Sequence, residues 1–329
     1  MKMHDPKEAC ETLLTTCSGC KPEEKILIVA DEKSYDIAKI LWNAAFRFKQ
    51  RSMIIMEKSD MHGCEPTELV SAAMKDADVI FGATTYSLFH TNARRDAAAN
   101  GARFINMADY SINQLTSGGL YADFIQQGRV NDILAEDMVG STAHVTSALG
   151  TDLSAEIKGR HTLPQYARSI KKGEASSPPD IECAIAPVEN KTNGVIYVDG
   201  SIPHPALGLI NEPIRLDIEN GRISKITGGR QAAVLKEVLK GFNDENSYVL
   251  GEIGVGMNPM CTLNGNMLED EGCYGTVHFG FGSNISFGGT NKCVSHLDMV
   301  IREPLFTVDG KIIVNKGSIP AQQYADEHK

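Results

Sequence analysis

The chain has 329 residues, 42% hydrophobic and 22% charged, with 42 acidic against 32 basic residues and a formal net charge of −10. That length carries a sizeable core, as two domains or one large one. The acidic balance, with no basic cluster larger than Arg94-Arg95 or Lys171-Lys172, argues against nucleic-acid and anionic-membrane partners. No run approaches the roughly 18 apolar residues of a membrane-spanning helix. The first residues lack the apolar core of a signal peptide, so the cytoplasm is the expected compartment. Its eight cysteines are then expected as reduced thiols. Cys17-Ser-Gly-Cys20 precedes the first strand and has no second pair at zinc-ribbon spacing, so it reads as structural.

Residues 25–30 form a short apolar run suited to a buried parallel strand. Asp31 to Ser34 offers an N-cap for a helix over 35–48, where Ile37, Ile40, Leu41, Ala44 and Phe48 recur at helical spacing. A strand at 52–56, a helix at 67–75, a strand at 78–84, a helix at 92–100 stopped by Gly101, and a strand at 103–107 follow. This alternation predicts an α/β class, with an N-terminal doubly wound parallel-sheet domain over 1–175. No Gly-x-Gly-x-x-Gly follows the first strand, where Asp31-Glu32-Lys33 stands, so nucleotide binding is unsupported. His90 lies beyond the carboxyl end of the third strand, where it suits either a ligand contact or a cap for the next helix.

Residues 140–170 are mixed in pattern, and 171–180 reads as a linker or long loop. Beyond it, Asp199-Gly200, Asn220-Gly221 and Asp309-Gly310 each stand between strand-like runs and read as hairpin turns. One helix, 231–242, interrupts them. Residues 176–329 are thus predicted as a C-terminal β-rich α+β domain.

Residues 252–298 concentrate acids and histidines. His296 and Asp298 sit two apart in a strand-like run, so their side chains leave the same face. A neighbouring strand carrying His278 completes a two-histidine, one-carboxylate set for a divalent metal. An isolated His-x-Asp is more often a core histidine beside a solvated acid. Here Glu252 among small residues, the acids 269–271 and the glycine-rich loop 286–291 accompany it. Each has its own bland reading, the acids 269–271 as a solvated turn. An inward-facing His-x-Asp nonetheless needs a metal or partner to compensate its desolvation.

Glu182-Cys-Ala-Ile-Ala-Pro187, Gly251-Glu252-Ile253, Asp270-Glu271 followed by His278-Phe-Gly-Phe-Gly282, His296-Leu-Asp298 and Val308-Asp-Gly310 carry a family resemblance. On them, residues 182–317 resemble the metal-binding half of the aminopeptidase T family of metallopeptidases. They are also similar to its relative, the 2,5-dihydroxypyridine 5,6-dioxygenases. The first half matches more loosely, through Ser87-Leu-Phe-His90-Thr91 and Gly101-Ala-Arg103. In the peptidases two ions are held by two glutamates, two histidines, an aspartate and a tyrosine. The resemblance places Glu182, Glu252, His278, His296 and Asp298 on five of those positions. The tyrosine is expected seven residues after the first histidine, where Ile285 stands; Tyr274 lies four residues before His278. In the dioxygenases one iron is held by the positions of His278, His296 and Asp298.

Three readings follow. A metallohydrolase would cleave a small amide or an N-terminal peptide bond with a metal-activated water, using Zn, Co or Mn and Glu252 or Glu182 as bridge or general base. A mononuclear Fe(II) dioxygenase would open a hydroxylated ring, with His90 and Glu182 orienting and deprotonating it. A non-catalytic metal-binding member is the third. Retention of both glutamates favours the hydrolase; the absent tyrosine and the short chain favour one metal. The expected partners are a small-molecule or short-peptide substrate and, by resemblance, further copies of the chain in a homo-oligomer. His204, between prolines, suits pocket or solvent; His144 and His161 receive no role, and His4, His62 and His328 read as peripheral.

Overall fold

The computed structural model describes residues 3–327; His328 lies outside them. The chain divides into two compact units, and each uses two segments. The first runs to Phe124 and adds Ala167–Pro179; the second comprises Ile125–Tyr166 and everything from Asp180 onward. The single boundary expected near 175 therefore differs from this division. Residues 142–146, 152–156 and 162–165 are strands of the second unit, and the expected linker contributes the strand Ala175–Ser176 to the first.

The first unit holds a five-stranded sheet in the order Arg51–Met56, Ile26–Asp31, Val79–Ala83, Arg103–Asn106, Ala175–Ser176, with every pairing parallel. All six residues of Ile26–Asp31 are buried, as an apolar run covered on both faces requires. Leu27, Val29, Ile80 and Phe104 pack with Val70 and Met74 of the helix Glu68–Asp76 and with Ala93 and Ala97 of the helix Asn92–Ala99. Thr67 and Thr91 cap these helices through their hydroxyls, accepting from Val70 and Arg94. The capping residue is therefore Thr91, because a threonine oxygen reaches the third amide of the helix; His90 is not the cap.

The strand order reverses between Ile26–Asp31 and Val79–Ala83, the crevice where such sheets cradle phosphates. Here Asp31 fills it. Its buried carboxylate accepts from the amides of Lys33, Ser34 and Thr85 and from the Thr85 hydroxyl. Burial opposes its ionisation, yet these bonds hold its pKa below the usual value. A negative charge of the chain itself thus occupies the amides at this crevice.

The second unit holds two seven-stranded sheets. One runs Arg222–Thr227, Ile214–Glu219, Thr192–Val198, Asp152–Glu156, Thr142–Thr146, Leu305–Val308, Lys311–Asn315. The other runs Gly208–Leu209, Ser201–Ile202, His296–Ile301, Val277–Gly282, Leu250–Gly256, Glu182–Ile185, Thr162–Gln165. Asn220-Gly221 and Asp309-Gly310 make the hairpins expected of them, with both residues of each at positive φ. Asp199-Gly200 does not. Its flanking strands belong to different sheets, and Gly200 is where the chain crosses, since a Cβ there would lie 2.7 Å from the Val300 carbonyl. Among the described residues no helix is long and apolar enough to cross a membrane.

Cys17 is buried in the π-helical turn Leu13–Cys17, and burial pushes its thiol pKa up; Cys20 is pushed up to about 11 by the same cause. Neither is poised as a thiolate, consistent with a structural pair. Arg103 ties this turn to the strand Arg103–Asn106, one in from the sheet edge. Its guanidinium donates to the Ser18 carbonyl at 2.9 Å and to both Glu24 oxygens at 3.0 and 2.7 Å, with side chains only 5% and 14% exposed. Truncation leaves Glu24 with a half-buried, unmatched charge. Arg103→Ala is expected to lower unfolding stability by about 3–5 kcal/mol, seen as a reduced urea midpoint at unchanged slope.

Candidate metal centre

The sequence-derived donors converge on one face of the second sheet. In the strand register His296 opposes Gly282, Asp298 and Glu252 flank Gly280 from its two sides, His278 opposes Gly254, and Glu182 opposes Gly256. Directly opposed residues in antiparallel strands share a face, so all five donors project together. A bulge at Gly251 resets the register just before Glu252. The glycines are the room the donors need. A Cβ on Gly254 would lie 2.0 Å from His278 Nε2, and one on Gly280 would lie 2.6 Å from the His296 ring and 2.9 Å from Glu252 Cβ.

Glu252 stands between the two histidines. Its Oε1 lies 3.5 Å from His278 Nε2 and its Oε2 lies 2.9 Å from His296 Nε2. Glu182 Oε2 lies 3.1 Å from His278 Nε2, and Asp298 Oδ1 lies 3.4 Å from His296 Nε2. The result is two overlapping half-sites, Glu182–Glu252–His278 and Glu252–His296–Asp298, whose donor atoms lie within 4.8 Å of one another in each. His278, Glu182 and Glu252 are buried, while the His296 side chain is 27% exposed and forms the open side.

The surrounding contacts aim these groups. His296 donates from Nδ1 to the Ser283 carbonyl at 2.9 Å, so in its neutral form the Nε2 among the carboxylates is the atom free to bind a metal. Its ring stacks on Phe287, centroids 5.5 Å apart. The Gln165 amide donates to Glu182 Oε1, and the Asn131 amide bridges the carbonyls of Gln165 and Glu182 at 2.8 Å each. Burial disfavours charge on both imidazoles, but Glu182 and Glu252 around His278, and Asp298 and Glu252 around His296, outweigh it and raise both pKa values well above the usual one. Asp298 is pulled down to about 2, against burial, by attraction to His296.

A divalent cation fits this donor set. His278 Nδ1 is buried without a hydrogen-bond partner, and Glu182 Oε2 and Asp298 Oδ1 have only the histidine Nε2 atoms beside them. Each such atom costs roughly 1–3 kcal/mol unless something compensates it. Two imidazoles with carboxylates suit iron, zinc, manganese or cobalt. Ile285, at the position where the peptidase pattern has its tyrosine, brings no donor and is exposed, and the Tyr274 hydroxyl is engaged by the Ile319 backbone.

The sequence reading gave two further acids no ligand role. Asp180 and Glu271 lie beside Glu182, and their pKa values are raised well above the carboxylate range, first by burial and then by the neighbouring carboxylates. Asp180-x-Glu182 carries the same two-residue spacing that singled out His296 and Asp298, so that signal was present. The acids 269–271 do not form a solvated turn. Glu269 and Asp270 are buried and accept from the backbone amides of Thr262, Asn264 and Gly265. His90 belongs to the first unit, exposed in the turn before Asn92–Ala99, with its carbonyl accepting from Arg95. His204 accepts the Ala206 amide in a local turn, and His144 pairs with Asp152 at 2.8 Å.

A family profile described as NicX, 2,5-dihydroxypyridine 5,6-dioxygenase, matches residues 7–321. The chain belongs to this NicX family. The 2,5-dihydroxypyridine 5,6-dioxygenase of Pseudomonas putida KT2440 is 29% identical over 190 residues, which cover 55% of this chain and 54% of that protein. That match therefore spans about half the relative's length. The structure of the 2,5-dihydroxypyridine dioxygenase from the same organism superposes with a TM-score of 0.79 at 22% identity, covering 95% of this chain and 96% of that one. Wild-type AmpT, aminopeptidase T, from Thermus thermophilus gives 0.66 at 14% identity, covering 95% and 98%. The chain thus has the α/β fold of both relatives that its sequence resembles.

Two outcomes test this geometry. Gly254→Ala sets a methyl group against the His278 ring, so bound metal is expected to fall by about tenfold or more, with far-UV circular dichroism unchanged. The loop carrying Phe287 depends on Glu189, which accepts from Thr290 N and Asn284 Nδ2 and pairs with Arg160, itself bonded to the Gly288 carbonyl. Against burial, these bonds hold the Glu189 pKa down to about 2. A lowered carboxyl stabilises above its unfolded pKa, near 4.3, and loses that contribution as pH falls through about 2. Glu189→Gln is expected to flatten the decline of stability between those limits, measured by denaturant unfolding at stepped pH.

Proposed function

We propose that this chain is a mononuclear iron(II) dioxygenase that opens a dihydroxylated, nitrogen-containing aromatic ring, with His278, His296 and Asp298 as protein ligands. The observation that carries the reading is this two-histidine, one-carboxylate set on one sheet face, with exposed Ile285 where the peptidase pattern has its tyrosine. The family match, named for a dioxygenase, supports it. The hydrolase reading, first from sequence alone, becomes the second.

Bound iron(II) would supply a Lewis acid for the ring oxygens and a redox partner for O₂. The chain's own residues do the rest. Glu252, between the two imidazoles, and Glu182, beside His278, are the proton acceptors for the ring hydroxyls. Phe287, stacked on His296 at the open side, gives a flat apolar wall for a planar substrate. Ser283 fixes the His296 tautomer. Both atoms of O₂ enter the product as one ring bond breaks, so no external reductant is consumed.

One observation favours the hydrolase as the second reading. The two oxygens of Glu252 face different histidines, as a carboxylate bridging two ions would. Metal analysis of anaerobically purified protein separates the two, followed by assays on 2,5-dihydroxypyridine and on aminoacyl arylamides. About one iron per chain with O₂ uptake on the dihydroxypyridine is expected, and His296→Ala should lose both. Two zinc, cobalt or manganese ions with O₂-independent amide cleavage would replace this reading with the hydrolase.

A further inference from the structure

Beside the histidine-bearing centre lies a group of acids that neither reaction accounts for. Asp180, Glu182 and Glu271 each bring a carboxylate oxygen within 4.8 Å of the others. Asp180 and Glu182 enter the strand Glu182–Ile185, and Glu271 follows the short helix Met267–Asp270. Backbone bonds strap these segments to the end of one strand. Met257 N–H donates to the Ile181 carbonyl and Asn258 N–H to the Gly272 carbonyl, both at 2.8 Å. Gly272 permits the approach, since a Cβ there would lie 3.0 Å from Asp180 Cα and 3.3 Å from its Oδ1.

Asp180 is only 5% exposed, and its Oδ1 is buried with no hydrogen-bond partner. Glu182 Oε2 faces His278 Nε2 at 3.1 Å, and Glu271 lies against the Asp298 carboxylate. Among the described residues no lysine or arginine pairs with any of the three; the cationic neighbour of Glu182 is His278, which it shares with Glu252. Glu252 and Asp298 add two more carboxylates a few ångströms away. One divalent ion on neutral imidazoles offsets only two charges of that set. A buried carboxylate left ionised and unpaired costs several kcal/mol, so in their ionised form these acids would take a further cation.

We propose that Asp180, Glu182 and Glu271 form an oxygen-only site for a hard divalent cation, calcium or magnesium, distinct from the histidine centre and sharing Glu182 with it. Oxygen donors without nitrogen select hard ions, whereas the imidazoles select a transition metal. The site holds equally whether the neighbouring centre opens rings or hydrolyses amides. Its ion orients Glu182 toward His278 and relieves the repulsion among the five acids.

The test uses the full chain loaded anaerobically with iron, dialysed against calcium or magnesium, with both metals counted by mass spectrometry. About one extra hard cation per chain is expected, saturating below roughly 1 mM, with iron content unchanged and the melting temperature raised. Asp180→Asn and Glu271→Gln keep shape while removing charge. Each should weaken that binding at least about tenfold and abolish the melting shift, yet retain iron. His296→Ala should lose iron and keep the hard cation. The proposal is overturned if the unmutated protein binds neither cation saturably up to about 10 mM. Displacement of iron by the added cation, or unaltered binding in both carboxylate variants, would overturn it equally.

Discussion

Each donor of the candidate metal centre faces a glycine across the strand ladder, and the rest of the site depends on that pairing. A sheet face in which donors opposed ordinary side chains would hold the carboxylates apart or cover the imidazoles. With Gly254, Gly256, Gly280 and Gly282 as a floor, the rings lie across the neighbouring strand and reach the carboxylates within hydrogen-bonding distance. Glycine in a strand interior weakens it, through chain entropy and lost packing. The outward-alternating residues Val277, Phe279, Phe281, Leu297 and Met299 are buried on the opposite face and counter that loss.

The second governing term is charge. Among the described residues, several carboxylates under one sheet face have two imidazoles as their cationic neighbours, and the raised imidazole pKa values express that imbalance. Polar contacts from Gln165 and Ser283 fix orientation without supplying charge. Metal binding is therefore coupled to the stability of the second unit, because a cation replaces repulsion with attraction in a low-dielectric interior. The first unit solves a similar problem differently: Asp31 is ringed by amides and a hydroxyl, so its single buried charge needs no counter-ion.

Much of this was legible in the sequence where local pattern and tertiary structure agree. The apolar runs of the first unit, the helices between them and the Asn220-Gly221 and Asp309-Gly310 turns appear where their chemistry puts them. The convergence of Glu182, Glu252, His278, His296 and Asp298 on one sheet face was legible too, because the two-residue strand period and the family order coincide. Asp199-Gly200 misleads because its glycine serves a close approach to Val300 rather than a positive φ. Residues 140–170 resisted because their strands pair with partners far along the chain, such as Thr192–Val198 and Leu305–Val308. Glu271 was unreadable as a site residue: its neighbours Glu269 and Asp270 resemble it, and only tertiary packing separates turn-capping acids from the one that faces Asp180.

The alternation of the site strands makes the centre an all-or-none object. Sliding the strand His296–Ile301 by one residue would present Leu297 and Met299 where His296 and Asp298 now stand, and would set Phe279 or Phe281 against them in place of Gly280. No rotamer change rescues a donor on the wrong side of a sheet, and no partial slip leaves half a binding site. An ion held here is thus a digital reporter of correct strand pairing. Protein that folds into the wrong register is metal-free from the start, rather than weakly loaded.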